Sequence, residues 1–216
     1  MRKLWQTNRA TKAHGHANSH TLFKLFKKDL QKEIAKKSNM GDQIILGADE
    51  KGNFTGEYFP KSVGHTGVGK HHFAITVQIY NSKGELLLQL RKHKIFDNIW
   101  DMTASTHQLH RADGTDETDE EATLRALKVE YGIDNVSLKN LGGFNYFAKY
   151  GEHCENEHDK MLVGEYNGVV HLNPEVGYEY KWMPKEEFLK DIEANPKNYT
   201  PWTRAAIGIL KQANFF

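Results

Sequence analysis

Hydrophobic and polar positions alternate most regularly between residues 72 and 91. Phe73, Ile75, Val77 and Ile79 interleave with Ala74, Thr76, Gln78 and Tyr80, a period of two that predicts a strand with two distinct faces. The turn Asn81-Ser82-Lys83-Gly84 leads into Glu85-Leu86-Leu87-Leu88-Gln89-Leu90-Arg91, so the two runs together predict a hairpin. Residues 43–47 and 55–58 predict shorter strands flanking the turn Asp49-Glu50-Lys51-Gly52-Asn53, and strand-like pieces recur at 141–148, 161–171 and 178–183.

The period changes in four places. Leu22, Phe23, Phe26, Leu30 and Ile34 recur at three- and four-residue steps with lysines opposite, which predicts an amphipathic helix over 21–37 whose apolar stripe packs on the body, with docking to a partner or a membrane as the lesser reading. Thr118 with Glu121 three residues on forms a capping box, acidic residues crowd the first turn, and Gly132 is placed to end that helix. Pro184 opens a short helix through Ile192, and Thr200-Pro201-Trp202 opens a last one, with threonine as cap and proline in the first turn. Strands and helices are interleaved, so the expected class is α/β: a mixed sheet packed between helices, with an N-terminal helical extension.

Composition narrows the function classes. The chain has 216 residues, 38% of them apolar and 26% charged, enough for a buried core. No apolar run approaches a membrane span and no N-terminal stretch reads as a signal peptide, so a cytoplasmic protein is expected. The single cysteine, Cys154, allows no intrachain disulfide and no cysteine-rich zinc site. The net charge of +1 hides an asymmetry: residues 1–40 hold ten Lys/Arg against two Asp/Glu, so a basic extension precedes a mildly acidic body at 41–216. Such an arm suits nucleic acid or phospholipid, but it lacks an arginine-rich or aromatic-interleaved pattern, and a solvated extension is the plainer expectation. Nothing in the pattern specifies an oligomeric state.

Several residues suit chemistry together. His65 and His72 sit seven apart, before and at the start of the alternating strand, and His72 has the parity of Ala74 and Thr76, opposite Ile75 and Val77. His107 follows Trp100 in Trp-Asp-Met-Thr-Ala-Ser-Thr-His, and Glu155 and Glu157 flank Asn156, which on a strand projects both carboxylates to one side. Imidazoles and carboxylates make a good nitrogen and oxygen site for manganese, zinc or magnesium. The plainer reading is that each is an ordinary packed or surface histidine, because twelve histidines make a chance triplet easy to find; His14, His16 and His20 in the polar tail are such a triplet. On the helix, Ala122, Ala126 and Glu130 share one stripe. Small side chains below a carboxylate leave space for an ion or phosphate, or allow a close helix–sheet contact with Glu130 in solvent.

Taken in order, His-Thr-Gly-Val-Gly-Lys-His-His-Phe-Ala at 65–74, the run at 81–91, Thr-His-Gln-Leu at 106–109, Arg-Ala-Leu-Lys-Val-Glu-Tyr-Gly-Ile at 125–133, Glu-Asn-Glu at 155–157 and Pro-Trp at 201–202 resemble type I isopentenyl-diphosphate isomerase, a Nudix-superfamily enzyme of isoprenoid biosynthesis. The resemblance runs from about residue 43 to the C-terminus. It implies that His65, His72, His107, Glu155 and Glu157 bind a metal, Mn2+ or Zn2+, and that Glu157 moves a proton with the help of Tyr146. It also implies that the face of Trp202 stabilises carbocation character. Glu130, with the backbone carbonyl near residue 105, would hold a substrate-borne Mg2+, and Lys61, Arg91 and Lys94 would grip the diphosphate of a small-molecule substrate.

Two positions depart from the family: it has a catalytic cysteine where this chain has Ser105, and a diphosphate-binding arginine where this chain has Ala126. A hydroxyl is a much weaker acid than a thiol. The resemblance therefore carries the fold and metal site further than it carries isomerase turnover. The competing classes are a hydrolase of nucleoside or related diphosphates, whose signature box here lacks two of its glutamates, and a noncatalytic diphosphate-binding protein.

Overall fold

The computed structural model describes residues 42–216, so the basic extension at 1–40 and its helix over 21–37 lie outside the described residues. Strands β1 (Ile44–Ala48) and β2 (Phe54–Pro60) form an antiparallel pair. Its turn is tied by the Asp49 carboxylate, which accepts from the backbone N–H groups of Lys51 and Asn53 at 2.8 Å. The one-turn helix α1 (Lys61–Gly64) follows, then β3 (His72–Tyr80), β4 (Glu85–Arg91), β5 (Trp100–Asp101) and β6 (Ala104–Thr106). Helix α2 (Asp119–Tyr131), the long hairpin β7 (Leu138–Tyr150) and β8 (His153–Glu165), strand β9 (Gly177–Pro184), helix α3 (Lys185–Ala194), a 3-10 turn at Pro196–Asn198 and helix α4 (Pro201–Gln212) complete the described chain.

The local signals of the sequence recur in the fold. Both arms of the Thr118 and Glu121 capping box are formed, Gly132 ends α2 at φ 73°, and the Thr200 side chain caps α4 by accepting from the Thr203 N–H. The 72–91 hairpin is looser than its pattern suggests, since only Tyr80 and Leu86 pair across it. Elsewhere β3 lies between β6, antiparallel, and β8, parallel, the latter in register from His72 opposite Glu157 to Tyr80 opposite Glu165. The long-range partner wins because β3 is buried on both faces, and only a central strand can bury both. The strand expected at 161–171 also begins earlier and ends sooner, at His153–Glu165, so the run Glu-Asn-Glu lies on a strand opposite His72.

Two cores sandwich this sheet. On one face α2 lays Ala122, Ala126 and Leu127 against Ile75, Val77, Ile79 and Leu162. On the other, Leu86, Leu88, Met161 and Val163 meet Phe188 and Ile192 of α3 and Ala206 and Leu210 of α4. Ala122 and Ala126 are thus buried in a close helix–sheet contact. Leu127 is fully buried there, and Leu127→Ala should lower unfolding free energy by about 2–5 kcal/mol, through lost transfer energy and a residual cavity. A denaturant midpoint unchanged at constant m-value would refute that.

Candidate metal centre and active site

The register of β3, β6 and β8 decides which side chains meet. His72 opposes Glu157, and Ser105 opposes Thr76, so His72, Thr76, Ser105, His107, Glu155, Glu157 and Asp159 all project from one face of three adjacent strands. His65 joins them from the end of α1, where its carbonyl accepts from the Cys154 N–H at 3.1 Å.

Four of these groups form a cage. One ligand atom each from His65, His72, His107 and Glu157, all buried, lies within 4.8 Å of the others. His107 Nε2 is 3.1 Å from His65 Nε2, 3.3 Å from His72 Nε2 and 3.0 Å from Glu157 Oε1. The outward nitrogens are engaged: His72 Nδ1 is 2.7 Å from the Lys70 carbonyl, and His65 Nδ1 is 3.1 Å from the Cys154 carbonyl. Protons placed on Nδ1 to satisfy those carbonyls leave the Nε2 lone pairs of His65 and His72 facing Glu157. Lone pairs packed so closely repel one another, and a divalent cation could take them as ligands. Glu155 stands at the cage edge, its Oε2 2.9 Å from His65 Nδ1.

The electrostatics agree with a site built for positive charge. Burial, reinforced by the positive charge of Lys61, holds the His107 imidazole well below its ordinary pKa of 6.5, and burial also lowers His65. Burial alone would raise Glu157, but its contacts with the His107 and His72 imidazoles outweigh it and keep this carboxyl well below the usual range. Burial and the neighbouring Glu157 push Glu155 well above it.

The cage has an ordered support. Arg125 of α2 forms a two-pronged ion pair with Glu117, at 2.8 and 2.7 Å, and donates to the His107 carbonyl at 2.8 Å. Glu117 also accepts from the Leu109 N–H, so the segment carrying His107 is held from both sides.

Beyond the cage, Tyr146 on β7 donates its hydroxyl to Glu157 Oε2, and its ring lies 6.3 Å from Trp202. Burial and the Glu157 charge raise the Tyr146 pKa well above 10, so the phenol keeps its proton. Trp202 is buried in the first turn of α4, with the Phe96 ring edge-on at 5.3 Å and the Arg91 guanidinium 4.8 Å from its centroid. Ser105 Oγ is buried with no hydrogen-bond partner. Cys154 alternates to the opposite side of β8 from Glu155, and burial raises its thiol pKa, so it does not stand in for the absent thiol.

The remaining candidates are spread around this centre. Lys61 begins α1, near enough for its charge to depress His65 and His107. Lys94 is exposed on the loop joining β4 and β5. Arg91 donates to buried Asp101 at 2.9 Å. Glu130, near the C-terminal end of α2, accepts from Gln89 at 2.9 Å and stands outside the four-atom cage.

Sequence reasoning missed Asp159 and Asp101. Asp159 had a usable signal, the same two-residue step as Glu155 and Glu157. It accepts from the Thr76 hydroxyl at 2.6 Å, its other oxygen is buried without a partner, and burial together with Glu157 lifts its pKa well above 3.8. A carboxyl raised on folding is stabilising below its unfolded pKa, and that stabilisation disappears as pH rises through the folded value. Asp159→Asn should therefore raise the melting temperature of metal-free protein near pH 7 by about 2–4 °C for each 1 kcal/mol relieved. The gain should vanish towards pH 4, and an equal gain at both pH values would contradict the assignment.

The NUDIX domain model matches residues 70–203, which contain β3, α2, β8 and the first turn of α4. Two isopentenyl-diphosphate Delta-isomerases of Aromatoleum aromaticum are 30% and 32% identical to this chain over 171 residues, covering 78% of it and 86% and 92% of their own lengths. The chain belongs to the NUDIX family, in its isopentenyl-diphosphate isomerase branch. The crystal structure of DR0079 from Deinococcus radiodurans matches with a TM-score of 0.53 at 17% identity, covering 71% of this chain and 90% of that one, a likeness of fold. In this NUDIX protein, no helix among the described residues is long and apolar enough to cross a membrane.

Proposed function

We propose that this chain is a metal-dependent isomerase that shifts a proton across the allylic system of isopentenyl diphosphate, giving dimethylallyl diphosphate. The observation that carries the reading is the placement of Glu157, with one oxygen in the histidine cage and the other accepting from Tyr146, in a chain related to isomerases of that name. The donor set fits a divalent cation, Mn2+, Zn2+ or Mg2+, held by His65, His72, His107 and Glu157 with Glu155 beside them. A cation bound there supplies the positive charge that offsets two buried carboxylates.

The chain's own groups would do the rest. Ser105, on β6 with β3 between it and Glu157, delivers its hydroxyl proton to the terminal alkene carbon. The face of Trp202 stabilises the positive charge developing on the neighbouring carbon. Glu157, ionised and with Tyr146 holding its second oxygen, then takes a proton from the allylic carbon on the opposite side. Lys61, Arg91 and Lys94 would hold the diphosphate, and Glu130 with the carbonyl at 105 would hold a substrate-borne Mg2+, which would neutralise phosphate charge. A serine at 105 is a poor acid and makes turnover slow.

Incubation with isopentenyl diphosphate in deuterated water tests this. Deuterium incorporation without phosphate release supports it. Release of phosphate from a panel of nucleoside diphosphates, with no exchange into isopentenyl diphosphate, favours a hydrolase and overturns it, as does metal-dependent binding without turnover.

A further inference from the structure

We propose that Asp101 is a positioning residue, whose buried carboxylate fixes the Trp202 indole and the Arg91 guanidinium relative to each other and to the site. Asp101 ends β5 and is 1% exposed. Its Oδ1 accepts from Trp202 Nε1 at 2.7 Å and from the hydroxyls of Thr200 and Thr203 at 2.9 Å, while its Oδ2 takes Arg91 Nη1 at 2.9 Å. One carboxylate therefore joins the end of β4 to the first turn of α4. A carboxylate this deeply buried is tolerable only when paired and fully hydrogen-bonded, which these donors provide.

The geometry has two consequences. An anion on the indole N–H polarises the ring and makes its face more attractive to a developing cation. With Nη1 committed to Asp101 and its carbon 4.8 Å from the Trp202 centroid, Arg91 offers a diphosphate only the remaining edge of its fork, in one orientation.

The test uses protein labelled with 15N in its four tryptophans. The Trp202 indole signal, identified by its loss in Trp202→Phe, should lie downfield of the others, exchange slowly with solvent, and move upfield in Asp101→Asn. A Trp202 signal that is undistinguished in the wild type, or unmoved in the variant, overturns the proposal; the wild-type spectrum decides even if the variant folds poorly.

A kinetic arm rests on the isomerase reading. Asp101→Asn should lower kcat for proton exchange about ten- to a hundredfold, the loss expected for a hydrogen bond to a charged group, with a smaller change in KM. In a Trp202→Phe background the same change should cost less than about twofold, because its route of action is gone. Equal losses in both backgrounds mean a purely structural role and overturn the proposal. A wild type with no exchange defeats the isomerase reading instead, and the indole signal still decides the role of Asp101.

Discussion

Glu157→Gln should abolish deuterium exchange into isopentenyl diphosphate, a loss of about 10²–10⁴-fold from the missing acid–base group alone. The carboxylate has two tasks that an amide cannot perform. Its Oε1 lies 3.0 Å from His107 Nε2 and 3.3 Å from His72 Nε2, where a negative charge is required among three imidazoles. Its Oε2 accepts from Tyr146, and an amide oxygen there still accepts but can no longer take a proton from carbon. Metal content separates the tasks: Glu157→Asp should keep bound metal with poor exchange, because the shorter arm moves the carboxylate away from Tyr146. Full exchange activity in Glu157→Gln would eliminate the proposed proton transfer.

Ser105→Cys should act in the opposite direction, raising exchange by about tenfold or more. A thiol has a pKa near 8.5 and exchanges protons readily near neutrality, whereas a hydroxyl needs a strong neighbouring base. The Ser105 Oγ is buried without a hydrogen-bond partner, so the substitution breaks no bond among the described side chains. Nearby Asp159 is not the missing base, because burial and Glu157 hold its carboxyl well above the usual range. Substrate affinity measured alongside turnover makes the result decisive. If both proteins bind isopentenyl diphosphate equally and exchange equally slowly, the hydroxyl is not what limits the rate.

The α2 stripe shows how a residue pattern acquires meaning from its surroundings. Ala122 and Ala126 beside Glu130 fitted either an ion pocket or a tight helix contact. The sheet answers for the alanines, since Ile75, Val77 and Leu162 fill the space against them. Glu130, one turn on, reaches Gln89 instead of open solvent. Arg125 in the same helix stabilises the site indirectly, through Glu117 and the His107 carbonyl, which no spacing rule would have indicated.

What the sequence determined by itself is local. The α2 capping box, its Gly132 stop, the Thr200 cap and the alternation that puts Glu155 and Glu157 on one side of a strand depend on neighbours a few residues apart, and all are present. The family motifs also picked out His65, His72 and His107, although spacing alone could not separate them from the other histidines. Tertiary structure decided the rest. The parallel pairing of β3 with β8 sets His72 opposite Glu157 across 85 positions of chain, and β6 brings Ser105 opposite Thr76. Strand register is chosen by burial of both faces of β3, a property of the packed sheet and not of any segment read alone. The same reason hid Asp101, whose partners at 91, 200, 202 and 203 become neighbours only when α4 closes on the end of the sheet.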